Sequence, residues 1–255
     1  MRWIDLVEPT EAEILSLATE FGFHPLDLED CRKKGQRQKV ERYKDYAFLV
    51  LIFPVYNRKT REIESGEVDF FIGPDYVVTV DEGKLIPLTA LRNSLKRGET
   101  DPNAVMSTSV HLVHEIVERL LVALYPMLDH LSIDIHSAEK QVFSGKEKAM
   151  VAEIALLRRN ITDVRRIVQT HKNTLKRLTE ILHLNGLSGS HEHLAAFEHT
   201  VERTKEIWDF LESYRESIDT IHETNDSLIS FKLNDIMRTF TTMSVMIFVM
   251  TLVAT

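Results

Sequence analysis

The chain has 255 residues, 27% charged and 44% hydrophobic, enough apolar content for a sizeable core in one large domain or two ordinary ones. Its formal net charge of −8 argues against nucleic acid, whose phosphates are neutralised by Lys and Arg. A single cysteine, Cys31, excludes an internal disulfide and a cysteine-based zinc cluster, and it points to a reducing, cytoplasmic setting.

In chain order, the N-terminal MRWIDLVEPTEAEI has no apolar h-region and so no secretory signal. Within it, residues 3–7 predict a short strand ended by Pro9. Thr10 is placed to cap a helix from Glu11 that carries Ile14, Leu17, Ala18 and Phe21 at helical spacing and stops at Gly22. His24-Pro25 opens a second short helix through LDLEDC. Three strand-like regions follow: KVERY with YAFLVLIFPVY, then EVDFFIG, then YVVTVD, with turns at Asn57 to Glu62 and Gly73-Pro74-Asp75. AFLVLIF is apolar on both faces, which suits a central strand covered by helices on each side. A helix from about Leu85 to Lys96 closes an α/β domain over residues 1–100.

From Ala104 onward no strand signal appears. The pattern predicts a helix from Val105 to Phe143, a break at Ser144-Gly145, and a second helix from Glu147 to His183. Together they form a long hairpin over residues 104–190. Asn185 to Ser190 is a clear breaker. A third helix begins near His191 and meets no Gly or Pro before the chain ends; its 65 residues would span about 97 Å. Phe197, Thr204, Leu211, Ile218 and Asn225 recur every seven residues, with Leu194, Val201 and Trp208 on a neighbouring seam. Such a seam calls for packing against partner helices or against the chain's own other helices.

Residues 191–238 therefore read as a stalk. Residues 239–255, TFTTMSVMIFVMTLVAT, carry no charge, and about 20 apolar residues are needed to cross a bilayer. The chain is thus expected to end inside its first membrane helix. Lys232 and Arg238 precede that run, and positive flanks stay on the cytoplasmic side. With no signal sequence upstream, residues 1–238 are expected to be cytoplasmic.

One face of the last helix, in alternating steps of three and four, reads Asn234, Met237, Thr241, Ser244, Phe248, Thr251 and Thr255. Polar groups at membrane depth face the protein interior or a watery path, so several copies around an axis would make a pore of hydroxyl and amide rings. The competing reading is that the hydroxyls bond back to their own helix carbonyls. Below this run Asp219, Glu223 and Asp226 share a helix face, either a site for a hard cation such as Mg²⁺ or an ordinary solvated acidic face. The basic residues of the second helix, Arg158 to Arg177, are expected to balance acidic neighbours. Eleven scattered histidines form no HExxH pattern, and no GxSxG elbow, Walker loop or GxGxxG occurs, so an enzyme is not expected.

The segments WIDLVEPTEAEI, FGFHPLDLEDC and QRQKVERYKDYAFLVL, followed far downstream by LNDIMRTFTTMSVMIF, resemble the CorA family of divalent-cation channels in order and spacing. The resemblance covers essentially the whole chain. It implies an inner or plasma membrane homopentamer with a cytoplasmic funnel, two membrane helices per subunit, and passage of Mg²⁺ and sometimes Co²⁺ or Ni²⁺. It also implies a funnel that senses intracellular Mg²⁺ and gates the pore through ions bound between neighbouring subunits.

By the same resemblance Asn234 matches an amide ring at the pore entrance, Met237 and Phe240 the apolar gate, and Phe248 and Thr251 deeper lining. Glu223 matches a stalk acid of the regulatory site. The family's partner acid is missing from Lys84-Leu85-Ile86-Pro87, so Asp81 and Glu82 are the candidates to replace it. The Gly-Met-Asn signature is expected beyond Thr255. The zinc-transporting ZntB branch, or a membrane-tethered coiled-coil protein without transport activity, therefore stands as the alternative.

Overall fold

A computed structural model describes residues 1–33, 35–187 and 191–254, the side chains of 191–194 excepted. Thr255, at the foot of the expected pore stripe, lies outside the described residues, as do the side chains of His191, His193 and Leu194. The chain divides into two compact units. One comprises Met1–Asp129 with Thr162–Glu212, and the other His130–Ile161 with Ser213–Thr255.

The first unit is built on a mixed sheet of β1 (Arg2–Val7), β2 (Lys39–Arg42), β3 (Ala47–Asn57), β4 (Glu62–Ile72) and β5 (Tyr76–Asp81) in the order β1-β5-β4-β3-β2. Only the β1–β5 pair is parallel. Helices α1 (Glu11–Phe21) and α2 (Pro25–Asp30) lie against one face, where Ile14, Leu17, Phe23 and Leu28 pack on Phe48, Val50, Phe71 and Val78. The other face, with Leu49, Leu51, Phe70 and Val77 fully buried, is met by α5 (Ser109–Val122) and α8 (His171–Leu184), and α3 (Ile86–Lys96) and the one-turn α4 (Pro102–Val105) pack on α5. Helix α1 forms as its sequence dictates. The Thr10 hydroxyl accepts from the Glu13 N–H, the Glu13 carboxylate accepts from the Thr10 N–H, and Gly22 closes the helix at φ 67°.

Strand β4 starts at Glu62, well before the apolar EVDFFIG run, because an eleven-residue hairpin register from Asn57↔Glu62 to Ala47↔Ile72 zips the polar half as well. Gly66 sits where a Cβ would come within 2.8 Å of the Leu85 side chain. The turn is closed by Arg61 at φ 60°.

The helices differ from the sequence expectation in two places. The helix expected from Val105 to Phe143 is three: α4, α5 and α6 (Leu124–Phe143). Pro126 supplies the reason for the second break: its missing N–H and its ring cannot coexist with a continuous ladder to the carbonyl of Val122. The helix expected from Glu147 to His183 is split into α7 (Glu147–Val168) and α8 (His171–Leu184) without any Gly or Pro. Here the Ile167 carbonyl, which would receive the His171 N–H in a continuous helix, accepts from the Gln38 side-chain amide at 2.6 Å. His171 then packs on the sheet beside Phe53.

Helix α9 (His191–Ala254) is one uninterrupted element of 64 residues. Its seam residues Phe197, Thr204, Leu211, Ile218 and Asn225 are all buried within a single chain, at 1% exposure or less. The partner helices of that seam are the chain's own. In the first unit His114 stacks edge-on to Phe197, and Arg203 pairs with Glu118. Tyr125 donates to Glu206, while Arg165 pairs with Glu212 and lies over Trp208. In the second unit Arg158 pairs with Asp219, and Lys232 with Glu147. The basic residues of α7 thus meet acidic neighbours where they are seen paired, as their sequence predicts.

Candidate functional site

Among the described residues α9 is the one helix long and apolar enough to cross a membrane. Its best 18-residue window reaches a mean hydropathy of 1.7 and is wholly unburied. Such an apolar surface is costly in water and signals a lipid or protein covering. Asn234, Met237, Phe240, Thr241, Ser244, Phe248 and Thr251 are all exposed along it.

The hydroxyls of Thr241, Ser244 and Thr251 donate to the carbonyls of Met237, Phe240 and Ile247, at 2.8 to 2.9 Å. This is the back-bonded state that the sequence left as the competing reading. It does not abolish the polar stripe. With the donor spent on the helix, what each hydroxyl still offers outward is an oxygen lone pair.

The acidic residues expected to hold a regulatory ion fall into separate settings. In the second unit, Asp219 forms an ion pair with Arg158 at 2.9 Å and accepts from Arg215 at 3.4 Å, so its charge is met by two guanidinium groups. Glu223 and Asp226 are exposed, and His222 stands 3.7 Å from Asp226. In the first unit the Asp81 side chain is fully buried and accepts from Arg92 at 3.0 Å and from the Gly83 N–H at 2.8 Å. Burial pushes its carboxyl above the usual range, opposed by the Gly83 hydrogen bond and the Arg92 charge. Glu82 is more open and pairs with Lys84 at 2.7 Å. Among the described residues no three His, Cys, Asp or Glu side chains stand close enough to hold a metal ion together.

Arg92 also pairs with Asp5, whose other oxygen receives the Thr79 hydroxyl, which in turn accepts from the Trp3 indole. This chain of polar groups ties the C-terminal ends of β1 and β5 to α3. It fixes the end of β5 at Asp81, next to Glu82.

Sequence reasoning missed Asp69. It lies on β4 between Val50 and Val80, on the apolar sheet face beneath α1, and only 3% of it is exposed. Burial and the neighbouring Glu67 push its carboxyl up to about 8, although the Cys31 thiol donates to it. The sequence carried no signal for this, since Glu67-Val68-Asp69-Phe70 alternates polar and apolar and so places Asp69 on a solvent-facing side; only its pairing with Val50 and Val80 shows it to be buried.

A family model for the CorA-like Mg²⁺ transporter protein matches residues 1–255. The chain belongs to the CorA-like Mg²⁺ transporter family. It is similar to YfjQ of Bacillus subtilis, 26% identical over 252 residues that cover 99% of this chain and 76% of that protein. It is also similar to the cobalt/magnesium transport protein CorA of Thermotoga maritima, at 24% identity, covering 99% of this chain and 71% of that one.

The fold matches the complete CorA magnesium transporter of Methanocaldococcus jannaschii with a TM-score of 0.77 at 18% identity, over 94% of this chain and 73% of that one. It matches the ZntB cytoplasmic domain of Vibrio parahaemolyticus with a TM-score of 0.74 at 11% identity, over 89% and 87%. The chain is therefore a CorA-like divalent-cation transporter protein with a helix able to span a membrane, carried on the sheet-and-long-helix fold of that family.

Proposed function

We propose that this chain is one subunit of a homopentameric divalent-cation channel of the CorA type, in the inner or plasma membrane with residues 1–238 on the cytoplasmic side. The observation that carries the reading is the family match over all 255 residues. The stripe on α9 supports it physically. Five copies of Asn234, Thr241, Ser244 and Thr251 would ring an axis with amide and hydroxyl oxygens, while Met237, Phe240 and Phe248 supply apolar constrictions. An oxygen-lined path suits a hard cation that travels with its waters, and apolar rings close by dewetting. Mg²⁺ is the proposed cargo, with Co²⁺ and Ni²⁺ as further candidates and Zn²⁺ as the alternative.

Regulation is proposed to lie in the exposed carboxylates. Glu223 and Asp226, with Asp219 behind them, would meet an acid of an adjacent subunit. Of the two candidates there, Glu82 is the accessible one, since Asp81 is occupied by Arg92. Mg²⁺ needs only one or two carboxylates and keeps several waters, so the two exposed acids of α9 are a sufficient half-site. Bound ion would hold the funnel closed.

The test is limited proteolysis of α9 in membranes, with and without millimolar Mg²⁺. Protection by Mg²⁺ that disappears in the Glu223→Ala, Asp226→Ala double variant is the expected result. Unchanged protection in that variant overturns the assignment. Uptake by cells lacking their own Mg²⁺ transport, measured for Mg²⁺ against Zn²⁺, separates the two cargoes.

A further inference from the structure

Under α1, beside the middle of β4 and the C-terminal end of β5, the first unit contains a pocket of about 330 Å³. Six carboxylates contribute to its wall, from Glu8, Glu11, Glu67, Asp69, Asp81 and Glu82, against two cationic residues, Arg32 and Lys33. The cations are already engaged: Arg32 with Glu11 and Lys33 with Glu29, each at 2.5 Å. Asp81 is held by Arg92 and Glu82 by Lys84. Among the described residues, the wall acids left without a cationic partner are Glu8, Glu67 and Asp69.

Asp69 is the decisive group. It is 3% exposed, it lines the pocket, and among the described residues its Oδ1 has no hydrogen-bond partner. A buried carboxyl oxygen without a partner is costly and is rarely kept without a ligand, an ion or a water to meet it. Glu67 is two residues away on the same strand, so both side chains rise from the same face. One oxygen of Glu67 is oriented by the Gln36 N–H at 3.0 Å.

We infer that this pocket is a cation site within one subunit, in which Asp69 and Glu67 hold a partly hydrated divalent ion of the Mg²⁺ class. The ion would take the place of the proton that the Asp69 carboxyl otherwise holds; two carboxylates and a retained water shell are how Mg²⁺ is usually held, and no third protein ligand is required. The volume admits the ion with its waters, since one water takes about 30 Å³ of liquid. The site uses neither the α9 carboxylates nor a neighbouring subunit, and it stands independently of the transport reading.

Mn²⁺ is the probe, counted by the electron paramagnetic resonance of the free ion against the full chain in detergent at fixed pH. Wild type should bind one Mn²⁺ per chain that Asp69→Asn does not, and excess Mg²⁺ should displace it. Glu67→Gln should weaken the same site roughly tenfold or more, which decides the matter even where Asp69→Asn fails to fold. The Glu223→Ala, Asp226→Ala double variant should retain it, so loss of the α9 site and loss of this one read out separately. Equal Mn²⁺ stoichiometry and affinity in wild type, Asp69→Asn and Glu67→Gln overturns the inference.

Discussion

His171 gives a prediction that can be worked from geometry to number. Its Nε2 lies 2.7 Å from the Ile52 carbonyl, which can only accept, so Nε2 carries the proton and donates. Nδ1 is buried with no partner. Protonating the ring would place a second N–H there with nothing to receive it, and burial pushes the imidazole down from 6.5 to about 4. Below pH 6.5 the unfolded chain takes up a proton that the folded chain refuses, so stability falls as pH drops, and levels off near pH 4. The full span is worth roughly 3 kcal/mol. His114, also lowered by burial, acts in the same direction. Asp69 acts in the opposite one, because the folded chain holds its proton across that window.

The assay is therefore a difference. Urea unfolding of wild type and His171→Gln in detergent is compared from pH 7.5 to 4.5, glutamine keeping a donor for Ile52 without titrating. The variant should lose less stability on acidification, the two curves converging by about 2 kcal/mol or more. Parallel curves would show that His171 is not held neutral by the sheet, and would refute the account of how α8 docks.

Three further outcomes follow from named contacts. Arg92→Met leaves the buried Asp81 and the part-buried Asp5 without their cation, and should cost about 3–5 kcal/mol by thermal unfolding. Thr10→Ala removes the capping box of α1 and should cost about 1 kcal/mol. Asn225 is fully buried with both side-chain polar atoms unpartnered. Asn225→Leu should accordingly be neutral or stabilising by about 1–2 kcal/mol in chemical denaturation, and a large loss would reveal a partner or a bound water.

Much of the fold was legible because its signals are local. Thr10 with Glu13, Gly22, and the two-faced apolar run of β3 each specify their element from a few neighbours. Pro126 was equally local, yet the strong helical pattern around it masked a break that backbone chemistry requires. The α7–α8 break was not legible, since it depends on Gln38 reaching Ile167 across 129 positions of sequence. The seven-residue seam of α9 was read correctly as a packing surface. Its partners were not readable, because a heptad does not say whether the facing helix belongs to another chain. At the candidate sites, the acids of α9 stood out through their spacing. Asp69 did not, since only pairing with β3 and β5 shows that it is buried.

The most direct test of the transport account is Mg²⁺ entry into liposomes holding the purified protein, followed with a trapped Mg²⁺-sensitive dye. The account predicts influx above that of protein-free vesicles, abolished by Asn234→Leu while the protein stays folded and membrane-inserted. Influx that is indifferent to Asn234→Leu, or absent with correctly inserted wild-type protein, would contradict it.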